Sequence, residues 1–150
     1  MKLKTLLLAA VLFLTGCMSS PAIVKQDPNL STENSTKLVI YRPADDIFGI
    51  ATELRAFIND QYVGKLNSGG ASIERLVSSG TNLVEVKSYF LGIQDGPIAK
   101  IQVDTQTGQS LFLRLTRDPG MPVVNGNATY SIGAESKLIE ASQESWVSRR

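Results

Sequence analysis

The chain has no histidine, and only one cysteine occurs among its 150 residues. The absence of histidine excludes Ser-His-Asp and Cys-His catalytic arrangements and any metal site that requires an imidazole ligand. A single cysteine offers no intramolecular disulfide and no thiolate cluster. The sequence therefore predicts no catalytic residue, and it favours a protein that is not an enzyme.

Other motifs that would indicate a reaction or a cofactor are also missing. There is no convincing Ser-x-x-Lys motif and no glycine loop of the kind that cradles phosphate. Four aspartates could bind calcium through their carboxylate oxygens, but the D-x-[DN]-x-[DN]-G spacing is absent and turn formation explains them: Asp45, Asp46, Asp60 and Asp95. We expect no metal and no cofactor, and hydrolysis by these carboxylates is the weakest alternative.

The N-terminus begins with a basic and then an apolar segment. Lys2 and Lys4 precede the apolar run Leu6–Leu14, which has the composition and length of a secretory signal. The run is too short to span a membrane, which takes roughly 20 apolar residues. Residues 1–16 are therefore predicted to be a cleaved signal peptide.

The single cysteine stands directly after this segment, in the sequence Leu14-Thr15-Gly16-Cys17. This pattern resembles the lipobox of bacterial lipoproteins. The resemblance implies that the Cys17 thiol receives a diacylglycerol, that the signal is cut before it, and that the new amine is acylated. An export signal with an incidental cysteine is the alternative. In lipoproteins of this class an aspartate after the cysteine retains the protein in the inner membrane. Met18 here implies the outer membrane, facing the periplasm.

Removal of the signal also changes the charge balance. The 15 basic side chains lose Lys2 and Lys4, which leaves 13 against 14 acidic ones. No basic stripe remains to neutralise phosphates, so nucleic acid is not an expected partner. Residues 17–36 are polar and contain two prolines, and they are predicted to be a flexible tether, with pairing of part of it as an edge strand as the alternative.

Past Thr36 the sequence changes to short alternating runs separated by turns, which predicts β-strands. The runs are KLVIYR, ELRAFIN, YVGKL, ASIERLV, NLVEVKSYFL, AKIQVDT and SLFLRLT. Strands at this spacing without intervening helices predict a mainly β fold, a small antiparallel β-sandwich over residues 37–134. Residues 135–150 are assigned to a C-terminal helix and tail. Ser136–Val147 is predicted to be helical, with Trp146 capping the sandwich, touching lipid or marking a partner site.

The segments VIYRP, FINDQYVGKL, SSGTNLVEV and IQVDTQTGQSLFLRL resemble a bacterial lipoprotein domain family of undescribed function and, more distantly, the PEGA-type domains. The resemblance implies a prealbumin-like or immunoglobulin-like sandwich. This chain differs from the family pattern in two turns, at Asp60-Gln61 and at Ser79-Gly80.

Two functions follow as expectations. The first is a lipid-anchored module that binds another envelope protein without catalysing a reaction. The second is binding of peptidoglycan or another glycan. Aromatic side chains could stack on a sugar if two were exposed on one side, although alternation favours the core: Tyr41, Tyr62, Tyr89, Phe90 and Tyr130. Asp95-Gly96-Pro97 is interpreted as a loop tip.

Overall fold

The computed structural model describes residues 22–44, 52–66, 70–118, 121–125, 128–132 and 135–148. These ranges contain β1 (Thr36–Tyr41), β2 (Thr52–Ile58), β3 (Gln61–Lys65), β4 (Ser72–Val77), β5 (Gly80–Phe90), β6 (Ile93–Thr105), β7 (Ser110–Asp118), β8 (Met121–Asn125), β9 (Ala128–Ile132), β10 (Glu135–Ala141) and α1 (Gln143–Val147). The predicted mainly β fold with a short C-terminal helix is confirmed.

Two four-stranded sheets form the body of the domain. Sheet A has the strand order β10-β7-β1-β4, sheet B has the order β3-β2-β5-β6, and β8 and β9 form a separate antiparallel pair. A single apolar cluster draws its side chains from both sheets. Strand β10 contacts β6 along one side of the domain, and β3 contacts β4 along the other. The two sheets therefore pack face to face as a sandwich.

The alternation read from the sequence determines which side chains enter this core. On β2, Leu54, Ala56 and Ile58 are buried in the cluster, as predicted. Val84 and Val86 of β5 are fully buried on the same side of sheet B. Sheet A supplies leucines at every second position of β7: Leu111, Leu113 and Leu115. Because side chains alternate across a strand, the residues between these positions lie on the outer faces.

One strand pair runs parallel, which differs from the wholly antiparallel pairing expected. β1 pairs antiparallel with β4 on one side and parallel with β7 on the other. The turn before β7 holds the start of β1, since Lys37 N donates to Gln109 O at 2.9 Å and Gly108 N donates to Ser35 O at 2.9 Å. These bonds place the first residues of both strands at the same end of the sheet.

The predicted helix over Ser136–Val147 is wrong in its first half, because these residues form strand β10 in sheet A. Leu138 is buried in the core while its neighbour Ile139 is 42% exposed, which is the two-residue alternation of a strand. The helix begins only after Ser142, whose side chain accepts a hydrogen bond from Ser145 N at 3.2 Å. This N-cap marks the change from strand to helix.

The segment predicted as a tether also differs from the expectation of a free chain. Thr36 is the first residue of β1 and is fully buried, and Ser35 is nearly so. Thr36 Oγ1 donates to Gln106 O at 2.6 Å. The part of the tether that the structure describes, from Ala22 onward, therefore contains residues that belong to the folded domain.

Candidate interaction site at the tip of the β5–β6 hairpin

Cys17 and Met18, the two site residues predicted from the sequence, lie outside the described residues, as do Asp45 and Asp46. Asp60 occupies the turn between β2 and β3, two residues after Ile58, which pairs with Val84. Asp95 instead lies in β6 next to Gln94, which pairs with Tyr89 at the other end of β5. The register therefore places these two aspartates toward opposite ends of sheet B.

The longest hairpin of the domain ends in a two-residue turn. Tyr89 pairs with Gln94 and Phe90 pairs with Ile93, which leaves Leu91 and Gly92 as the connection. Both turn residues have positive φ, 49° at Leu91 and 81° at Gly92. Positive φ at both positions is typical of a type I′ turn, in which Asn-Gly is the favoured pair. Leu91 is therefore a poor local choice, because a left-handed backbone costs a side-chain-bearing residue about 1–2 kcal/mol.

This tip is also apolar and open to solvent. Phe90 is 51% exposed, Leu91 is 74% exposed and Ile93 is 64% exposed. Local strain and exposed apolar surface are both unfavourable for the isolated domain, and they coincide at Leu91. A conformational outlier of this kind points to a functional surface, and a cluster of exposed apolar side chains points to a binding site. We therefore take Phe90–Ile93, here called the apolar tip, as the candidate functional site.

The interpretation of Asp95-Gly96-Pro97 as a loop tip is wrong. These three residues lie within β6, and Pro97 pairs with Lys87. Two register shifts in the β5–β6 ladder, next to Lys87, accommodate the irregular residues. Pro97 is tolerated because β6 is an edge strand of sheet B, where a missing backbone N–H costs no ladder bond on the open side.

The base of the hairpin is braced by polar contacts on the outer face of sheet B. The Tyr89 hydroxyl donates to Gln94 Oε1 at 3.2 Å, across the last strand pair before the tip. The guanidinium of Arg55 lies 4.0 Å from the centroid of the Tyr89 ring. Arg55 also forms an ion pair with Glu53, and Lys65 Nζ lies 2.7 Å from the second Glu53 oxygen. The tip therefore projects from a fixed base.

The electrostatics of Glu53 reflect this arrangement. Burial acts to raise the pKa of its carboxyl, but the hydrogen bonds and positive charges of Lys65 and Arg55 outweigh that effect. The pKa of Glu53 consequently lies below its usual value. A neighbouring cross-strand row contains Glu85, whose carboxylate lies 3.3 Å from Lys87 and 3.6 Å from Lys100. The outer face of sheet B is thus a set of paired charges.

The aromatic residues do not form an open stacking platform among the described side chains. Tyr41 is 2% exposed, on the outer face of sheet A, and its hydroxyl lies 3.3 Å from Ser145 Oγ. Tyr62 is buried beside Phe57, with ring centroids 5.6 Å apart, and burial raises the pKa of its hydroxyl. Arg55 covers Tyr89 as described. Of these four candidate aromatic side chains, Phe90 of the apolar tip has half its surface exposed.

Trp146 packs against the sandwich, which is the first of the three roles expected for it, the others being contact with lipid or with a partner. Its ring centroid lies 5.5 Å from that of Phe112, within a second apolar cluster that includes Val39 and Tyr41. Helix α1 therefore covers the outer face of sheet A. Within the described part of the chain, no helix has the length and hydropathy needed to cross a bilayer.

Comparison of the chain with models of protein families finds no match, and a search of curated proteins finds no similar sequence.

Proposed function

We propose that this protein is a lipid-anchored envelope lipoprotein that binds another envelope protein through the apolar tip and catalyses no reaction. The observation that carries the proposal is Leu91: a strained, 74% exposed leucine at the end of a braced hairpin. A partner that covers the side chain removes its apolar surface from water, and the strained turn holds the leucine in position for that contact. The anchor rests on the Leu14-Thr15-Gly16-Cys17 pattern, and the outer-membrane address rests on Met18.

The apolar tip has the surface needed for such docking. Fully burying a large apolar side chain stabilises a complex by about 1.5–3 kcal/mol, and Phe90, Leu91 and Ile93 each have half or more of that surface still to bury. Their combined contribution offsets part of the cost of association, which is about 4–15 kcal/mol. The contacts that hold the base of the hairpin reduce the cost of association, because little conformational freedom of the tip remains to be lost on binding.

A protein pocket fits the tip better than a lipid surface does. Segments that insert into membranes usually carry Lys or Arg beside their apolar residues, and the sequence from Tyr89 to Gln94 contains neither. The nearby cations Arg55 and Lys65 are paired with Glu53. Glycan binding has less support, because Tyr41 and Tyr62 are buried and Tyr89 is covered by Arg55.

Photocrosslinking in intact cells tests the proposal. A photoreactive amino acid at Leu91 should trap one discrete protein adduct, whereas the same amino acid at the exposed position Gln102 of β6 should trap none. Adducts with phospholipid at Leu91, or none with protein at any of the three tip positions, would contradict docking by the tip. Retention of the purified protein on peptidoglycan sacculi would favour the glycan alternative instead.

A further inference from the structure

The described N-terminal segment runs along the side of the sandwich where the edge strands of the two sheets meet. Val24 N donates to Tyr62 O of β3 at 3.0 Å. Two residues later, the chain reaches β4 of the other sheet through Gln26. Residues 24–30, here called the strap, therefore contact both sheets, and they do so well before the first strand begins.

Gln26 makes the most specific contact of the strap. Its Nε2 donates to Leu76 O at 2.9 Å, and its Oε1 accepts from Leu76 N at 3.0 Å. The side-chain amide thus satisfies both backbone groups that one residue of an edge strand turns outward. A neighbouring strand would supply the same pair of bonds, so Gln26 takes the place of a strand at this point of β4.

Further contacts stabilise the strap, both within the strap itself and with the residues on which it packs. Asp27 Oδ1 accepts from Asn29 N at 2.9 Å, which is the local turn that aspartate favours. Leu30 is half-buried at the rim of a cavity of about 320 Å³ under the strap. Arg75 crosses between the sheets here, where its Nη2 donates to Val63 O at 3.0 Å. The edge strands and the strap form one connected structure.

We infer that the strap fixes the domain close to the bilayer, so that the apolar tip reaches only a membrane-proximal partner. This inference rests on the proposed lipid anchor at Cys17. With Val24 held on β3, the seven residues from Cys17 to Val24 can span at most about 25 Å between the acylated cysteine and the domain. A tether free up to Thr36 would span about 65 Å.

The register then gives the reach of the tip. Val24 bonds to Tyr62, which pairs with Phe57, and Phe57 pairs with Glu85 of β5. Leu91 lies six residues farther along the chain than Glu85, about 20 Å at the usual rise, and three strand spacings from Val24, about 14 Å, to the side. Leu91 is therefore about 25 Å from Val24, and it stays within about 50 Å of the acylated cysteine.

Hydrogen exchange at one amide tests the contacts of the strap. In the full chain as purified from cells, we expect the Leu76 amide to exchange at least tenfold faster in Gln26→Ala than in wild type. Lys25→Ala is the matched control, because Lys25 is exposed in the same segment, and it should change the rate less than twofold. Equal Leu76 exchange in the two variants would overturn the inference.

A distance measurement tests the reach. Acylation consumes the Cys17 thiol, so a Gln102→Cys substitution provides the single labelling site for energy transfer to headgroup-labelled vesicles. The double variant Val24→Pro/Gln26→Ala removes the backbone donor and both side-chain bonds, and transfer should fall at least twofold relative to the Lys25→Ala control. Unchanged transfer would overturn the inference. Failure to attach to vesicles would overturn the proposed anchor and the reach, while Leu76 exchange still decides the contacts.

Discussion

The guanidinium of Arg55 lies 4.0 Å above the ring of Tyr89, with both side chains on the outer face of sheet B. Glu53 pairs with the same guanidinium, and Tyr89 bonds across the hairpin to Gln94. This stack connects the middle of sheet B to the last residues before the apolar tip. It accounts for a tip that is exposed and strained yet held in one position.

Replacing Glu53 with glutamine should reduce stability in a pH-dependent way. The pKa of Glu53 is lower in the folded chain than its ordinary value of 4.5. Its contribution is therefore complete above about pH 5 and is lost as the pH falls through the folded-state pKa. Urea unfolding at pH 7 should show Glu53→Gln about 0.5–1 kcal/mol less stable than wild type, a range set by its partial exposure.

The same comparison at pH 3 should show a smaller difference between Glu53→Gln and wild type than at pH 7. Glu140→Gln is the control, because Glu140 is exposed on β10, and it should have little effect at either pH. A loss of stability in Glu53→Gln that is as large at pH 3 as at pH 7 would mean that the carboxylate charge is not what stabilises the stack.

Trp146 should report on packing against sheet A and not on lipid. Trp146→Ala removes the contact with Phe112 and should lower the free energy of unfolding by about 1–3 kcal/mol. Val147→Ala removes an apolar side chain that is 58% exposed in the same helix, and it should cost less than half as much. Because Trp146 is the only tryptophan, a blue shift of its emission on adding vesicles would contradict this assignment.

Asn82 should be the most costly polar residue of sheet B to truncate. Its Nδ2 donates to Ser78 O at 3.0 Å and to Thr105 Oγ1 at 2.9 Å, and its Oδ1 accepts from Asn59. Asn82 is 4% exposed, and Asn82→Ala removes all of these bonds from the buried position, at a cost of about 2–3 kcal/mol. Thr81→Ala, in the exposed neighbouring position, should change stability by less than about 0.5 kcal/mol. Similar losses in both variants, measured by denaturant unfolding, would refute the buried network.

The core-facing residues of several strands could be predicted from the sequence, because burial on one face of a strand forces alternation. Leu54, Ala56 and Ile58 show this directly, and so does Leu113 between Phe112 and Arg114. Leu138 and Ile139 do not distinguish the two structures locally, because two adjacent apolar residues occur both in strands and on one face of a helix. Pairing of β10 with β7 in the folded domain decides between strand and helix, and this long-range pairing cannot be read from the local sequence.

The candidate site was missed for a related reason. Asp95-Gly96-Pro97 has the composition of a turn, and Leu91-Gly92 lacks the usual asparagine. Ladder pairing of Phe90 with Ile93 overrides both local preferences. Gly92 itself was a usable signal for the turn, because it directly follows one alternating run and directly precedes the next.

The anchor makes a prediction that is independent of the fold. Cys17→Ser should abolish acylation and signal cleavage, so the chain should no longer sediment with outer-membrane fragments after extraction with salt. Met18→Asp should leave processing intact and move the protein to the inner-membrane fraction. Normal processing and normal sedimentation of Cys17→Ser, measured by mass and fractionation, would exclude the lipobox interpretation.

The most direct test of docking by the apolar tip is the substitution Leu91→Asn in the processed protein. Asparagine tolerates positive φ, so the variant should be about 1 kcal/mol more stable than wild type. With the photoreactive amino acid placed at Ile93 in both proteins, Leu91→Asn should lose at least nine-tenths of the crosslinked partner. Ile139→Thr, which removes apolar surface from β10 instead, should keep the adduct. A Leu91→Asn protein that is folded and still traps the partner at the wild-type level would contradict the account.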